Sequence, residues 1–152
     1  MNTKKPIPKD FDSSKFQNDF KDLHKNMGNL EIERQTEFLV PYILEKHEGF
    51  ERVEKGPNFK GSAFDFLGFK NNKPYIIEYK GSLNSFNTPG ETQKRRLQEI
   101  LKQFDNLEII LLQVNIEKSK YRIFYTEEME ILFQGDKAPL GPIINWLKER
   151  IE

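Results

Sequence analysis

The sequence predicts an α/β domain: a mixed central sheet flanked by helices, with a core in the order αβββαβ and extra helices at its N- and C-terminal ends. Three observations predict it. Runs at about 50 to 55, 62 to 69 and 74 to 80 read as strands, and the last two are joined by a tight Asn71-Asn72 turn, so the three form a meander. Thr88-Pro89-Gly90-Glu91 combines a capping box with proline at the first helical position and opens a helix whose buried face is Leu97, Ile100, Leu101 and Phe104. Leu107 to Val114 is almost entirely apolar, as in a strand covered on both faces.

Taken in order, residues 1 to 11 carry lysines and two prolines and read as a flexible arm. Residues 12 to 152 read as a single domain, with its core over about 30 to 116. Asp12 or Ser13 offers an N-cap, and Phe16, Phe20, Leu23 and Met27 repeat at helical spacing up to a stop at Gly28. A second helical segment runs from about Leu30 to His47 with Ile32, Leu39, Ile43 and Leu44 apolar, and Pro41 must kink or restart it. Gly49-Phe50 ends it. The first strand of the meander carries Glu51, Arg52, Glu54 and Lys55, which suits a sheet edge. Tyr121 to Tyr125 is the hairpin partner of the 107 to 114 strand, a short helix starts at Thr126, and a last helix near Pro142 places Leu140, Ile143, Ile144, Leu147 and Ile151 on one face. Glu130 to Gly135 resembles a picornaviral protease recognition site, but Asp136 stands where such sites have proline and a well-patterned helix follows, so it is read as native sequence.

Composition narrows the function. The 24 basic and 24 acidic side chains balance, so no global field drives the chain towards polyanions, and any nucleic-acid binding must be local. With no cysteine there are no disulfides, thiolate metal sites or cysteine nucleophiles, and His24 and His47 lie far from the meander. The absence of a signal-like or membrane-spanning run makes a cytoplasmic protein without membrane contact the expectation.

The chemistry concentrates on the 62 to 80 hairpin. A turn at Asn71-Asn72 sets Asp65 directly opposite Glu78, and Lys80 shares their face because strand side chains alternate. Like charges opposite one another destabilise a sheet, unless a hard cation such as Mg²⁺ and an ammonium sit between them. The flanks Ala63-Phe64, Phe66-Leu67 and Tyr75-Ile76-Ile77 are apolar on both faces, so these charges lie where burial demands a partner. The hairpin therefore reads as a metal site, and the ordinary alternative is a solvated charged strand.

Asp65 on the second strand and Glu78-Tyr79-Lys80 on the third, within the order helix, three-strand meander, helix, strand, resemble the PD-(D/E)XK nuclease superfamily over roughly residues 30 to 116. The resemblance implies a restriction-endonuclease-like core and metal-dependent hydrolysis of phosphodiester bonds by Mg²⁺ or Mn²⁺, with DNA preferred to RNA as substrate. It makes Asp65 and Glu78 metal-binding acids and the Tyr79 carbonyl a further ligand. Lys80 becomes the residue that orients the attacking water, and Glu37 the first-helix acid, with Glu33 as the alternative. The family's leading proline is Phe64 here. Gln93 lies one turn before Leu97 and faces the site, and Lys94, Arg95 and Arg96 form the densest basic cluster, so these four are the nucleic-acid contacts expected beside it.

Two other classes compete. Lys60 to Phe66 loosely echoes the RNP1 strand of RNA-binding domains, yet Ser62 and Asp65 fall where that strand needs aromatic and aliphatic residues, and the helix-first order disagrees. A nuclease-like fold kept as an inactive scaffold is the other. With no separate DNA-reading module legible, a homodimer or a protein partner is the expected source of specificity.

Overall fold

Two consecutive asparagines set the register of the sheet. In the computed structural model, which describes residues 6–57, 64–86, 100–125 and 141–151, Asn71 and Asn72 both adopt positive φ, 53° and 63°. That is the type I′ geometry that closes a two-residue hairpin. Strands β3 (Phe66–Lys70) and β4 (Lys73–Ser82) pair on either side of it with Lys70 opposite Lys73 and Phe66 opposite Ile77. β2 (Arg52–Lys55) adds antiparallel to β3.

The chain is mixed α/β, with a six-stranded mixed sheet and four helices among the described residues. β5 (Glu108–Asn115) runs parallel to β4, and β6 (Lys120–Tyr125) returns antiparallel to β5. β1 (Lys9–Asp10) pairs with β6, giving the order β1-β6-β5-β4-β3-β2. The two edges are short and charged, which discourages further strand addition. β4 and β5 lie at the centre and are apolar on both faces over most of their length, as expected of strands with a covered layer on each side. The segment expected to be a free arm thus meets the sheet at Lys9–Asp10, and Phe11 is buried against Tyr121.

One layer is built by α2 (Asn29–Thr36) and α3 (Leu39–His47), whose Ile32, Leu39, Val40, Ile43 and Leu44 pack on Tyr75, Ile77 and Tyr79 of β4 and on Ile110, Leu112 and Val114 of β5. The helical segment expected over 30 to 47, with a kink or restart at Pro41, is two helices. The proline ring of Pro41 clashes with the carbonyl four residues earlier, that of Glu37, and the helix breaks there. Pro41 then falls in the first turn of α3, where its missing N–H costs nothing. Thr36 reinforces the break by donating its hydroxyl to the Ile32 carbonyl at 2.7 Å. Gly49 at φ 78° ends α3, and the Phe50 N–H turns back to the Leu44 carbonyl at 3.0 Å.

The opposite layer gathers Phe64, Leu67, Ile76, Ile100, Leu107 and Ile109 under α4 (Gly141–Ile151), through Ile143 and Leu147. The single helix expected over Phe16 to Met27 does not form. A 3₁₀ turn, Ser14–Phe16, leads into α1 (Gln17–Phe20), one turn long, after which Leu23 and Met27 are carried on separate turns. Asn18, Asp19 and Asp22 are weak helix formers, and burial of Leu23 alone does not need a regular helix. The capping-box helix lies outside the described residues except at its end, where Ile100 and Leu101 are helical and Phe104, expected on the same face, lies beyond the last turn but packs in the same cluster. The Thr126 helix, the Glu130 to Gly135 segment and Leu140 also lie outside them.

Candidate active site

β3 stops pairing one residue short of the acid. Asp65 sits just before Phe66, and its N–H donates to the Ile77 carbonyl at 3.3 Å, so that two residues bear on one, as in a β-bulge. Its carboxylate accepts the Tyr79 N–H at 2.9 Å. Glu78 lies between these two β4 residues and is 1% exposed. The register expected from the asparagine turn is present, but Asp65 meets β4 through this side-chain bond and not as a regular ladder partner. Among the described residues the β3–β4 ladder ends here, with Asp65 still tied to β4.

Lys80 follows two residues after Glu78 on the same side of β4. Its Nζ is 3.9 Å from Oε1 of Glu33, with both side chains largely buried. Glu33 and Glu37 are four residues apart, so they share one face of α2 and its C-terminal end. Glu33 accepts the N–H of Gly81 and faces Lys80, whereas Glu37 is hydrogen-bonded and ion-paired to Lys55 of β2. Of the two acids weighed from sequence, Glu33 is thus Lys80's partner and Glu37 belongs to the rim. Lys55 was not foreseen, because an edge-strand lysine has no sequence signature separating it from solvated charge.

The electrostatics show how closely the groups are gathered. Burial pushes the Glu33 carboxyl up to about 7, helped by the neighbouring charges of Asp65 and Glu37 and opposed by Lys80 and the Gly81 N–H. Burial likewise raises Asp65, with Glu37 adding to it, while the Tyr79 N–H, Lys80 and Lys55 pull it down. Glu33, Asp65 and Lys80 therefore share one partly dehydrated space, with Glu37 and the exposed Lys55 at its rim. Among the described residues no three carboxylate or histidine groups are close enough to one another to chelate an ion by themselves. Gln93, Lys94, Arg95 and Arg96 lie outside the described residues.

The site is braced from below by Tyr79. Thr36 spends its hydroxyl proton on Ile32, so the Tyr79 O–H donates to Thr36 Oγ1, at 2.6 Å, in a buried bond that ties α2 to β4. Burial drives the phenol well above its ordinary range, so it stays protonated and keeps donating. The ring folds over Gly81: a Cβ there would stand 2.7 Å from Tyr79 Cζ and 3.2 Å from Thr36 Oγ1. Gly81→Ala should lower stability by about 1–3 kcal/mol through this overpacking. Urea unfolding reads it as a lower midpoint, and an unchanged midpoint would show that Tyr79 can move aside freely.

No helix among the described residues is long and apolar enough to cross a membrane. Comparison with known proteins gives no family model and no curated protein that matches this chain.

Proposed function

We propose that this protein is a metal-dependent nuclease with a restriction-endonuclease-like core, hydrolysing phosphodiester bonds in DNA in preference to RNA. One observation carries the reading: Glu33, Glu37 and Asp65 crowd together beside Lys80 where the β3–β4 ladder ends, next to the buried Glu78. Burial raises the pKa of Glu33 and Asp65, neighbouring carboxylates add to it, and acids held from solvent at such a cost concentrate at functional sites. The order α2, α3, β2, β3, β4, β5, with an antiparallel meander and a parallel β4–β5 pair, supports the core assignment.

The donor set is all oxygen and suits a hard divalent cation, Mg²⁺ or Mn²⁺. Asp65 and Glu78 would hold it, with the Tyr79 carbonyl as a further ligand and Glu33 beside them. When bound, such an ion supplies Lewis acidity and lowers the pKa of a water. Lys80 holds its ammonium group beside the acids, where it can donate a hydrogen bond to the attacking water and to a non-bridging phosphate oxygen. The Tyr79 N–H fixes the rotamer of Asp65, and the Lys55 pair keeps Glu37 from competing for Lys80.

A catalytically silent scaffold is the second reading, favoured by the lack of a close three-acid group among the described residues and by the engagement of Glu37 with Lys55. Incubation with supercoiled, linear, single-stranded and branched DNA, and with RNA, in Mg²⁺ or Mn²⁺ separates the two. The nuclease reading expects cleavage of at least one DNA substrate by the wild type, none with chelator, and none by Glu78→Ala. Failure on every substrate would leave the scaffold reading standing.

A further inference from the structure

We propose that Arg122, oriented by Gln113, is a binding subsite for a nucleic-acid backbone phosphate beside the one that is cleaved; this rests on the nuclease reading above. β4, β5 and β6 are adjacent, Lys80 is in register with Gln113, and Gln113 with Arg122. Residues in register present their side chains to the same face. The three therefore form a row leading away from Lys80 across two strand spacings, roughly 10 Å. One strand of a duplex carries a phosphate every 3.4 Å or so of axis, so a strand seated with its scissile group at Lys80 brings another within reach of Arg122.

The arginine itself is built for an anion. Its Nε donates to Oε1 of the fully buried Gln113 at 2.6 Å, and its guanidinium lies 4.4 Å from the Phe86 ring centroid and 5.4 Å from that of Phe124. Arg34, Arg52 and Arg150 each reach a glutamate, whereas Arg122 has no carboxylate partner among the described residues. A half-buried cation without a counter-ion is costly, and here burial lowers the guanidinium's pKa. With Nε committed to Gln113 and the plane fixed between two rings, the Nη edge is the part left to grip a phosphate in the two-pronged way that arginine favours.

Fluorescence anisotropy on a labelled duplex, in the Glu78→Gln background so that substrate survives, tests this across a series of salt concentrations. Arg122→Gln should weaken binding by about tenfold irrespective of sequence and reduce the slope of log affinity against log salt by about one. Lys21→Ala, which removes an exposed charge at the end of α1, should leave the slope as it is. Arg122→Lys keeps the charge and loses the fork, so the slope should persist while affinity falls several-fold. It serves as the deciding variant if Arg122→Gln does not fold. Unchanged affinity in either folded Arg122 variant, with the parent binding normally, overturns the subsite and leaves the nuclease reading intact. A parent that binds no DNA overturns both.

Discussion

Glu78→Gln and Lys80→Ala should each leave the protein folded and reduce phosphodiester cleavage by at least about 10²–10³-fold, the scale on which removal of one charge-stabilising group is felt. The two losses have different origins. Glu78 is buried on the central strand, between the β4 residues that Asp65 touches, so exchanging it for its amide keeps the shape and removes only a negative charge from the donor set. Lys80 is the ammonium nearest Glu33, and its removal takes away both a hydrogen-bond donor to water and the main charge holding Glu33 down. Because Glu33 then ionises only at higher pH, the cleavage rate of Lys80→Ala should fall off more as pH is lowered than that of Lys80→Arg, which keeps a cation in place. Single-turnover rates against the best substrate from the panel measure both. Wild-type rates in either folded variant would remove these residues from the chemistry.

A second large effect is expected in stability rather than in rate. With chelator present, the wild type should lose stability as pH rises from about 5 to 8, and Glu33→Gln should abolish most of that loss. The sign follows from linkage. The Glu33 carboxyl is raised from 4.5 to about 7 by burial first and by Asp65 and Glu37 next, so between those values the folded protein keeps a proton that the unfolded chain has released. The contribution is complete below pH 4.5 and disappears as pH climbs through 7. Asp65, also raised, acts in the same direction at lower pH. A fully buried group would give about 1.4 kcal/mol per pH unit, and because Glu33 retains some contact with water the total is on the order of 2 kcal/mol. Urea midpoints at half-unit intervals of pH, for the wild type and Glu33→Gln, report it. Parallel curves would mean that Glu33 titrates no differently in the two states.

The same residues explain why parts of this site could be read from sequence and parts could not. The Asn71-Asn72 turn fixes register locally, since two successive residues at positive φ admit few alternatives, and through it Asp65, Glu78 and Lys80 become neighbours on paper. The asymmetry between Glu33 and Glu37 was not legible. It depends on where Pro41 breaks the helix, which turns Glu37 towards Lys55 and leaves Glu33 over Lys80, a consequence of packing between α2 and β4. Departure of β3 from the ladder at Asp65 was likewise hidden, because the Tyr79 N–H can donate to a strand carbonyl or to a carboxylate with equal ease. The N-terminal segment shows the opposite failure: Phe16, Phe20, Leu23 and Met27 repeat as a helix should, yet buried side chains on irregular turns satisfy the same spacing. Gly81 carried a weak signal of its own, a glycine following an aromatic by two positions in a buried strand, where a ring needs room to lie flat.

All of this rests on the acids beside Lys80 acting together on one divalent ion. Calorimetric titration of Mn²⁺ into the metal-free protein at pH 7.5 tests that directly, with Asp65→Asn as comparison. The account predicts saturable binding at one or two sites in the wild type, proton release as Glu33 ionises, and loss of that isotherm in the folded Asp65 variant. A wild-type titration indistinguishable from buffer, or binding that Asp65→Asn leaves untouched, would contradict it.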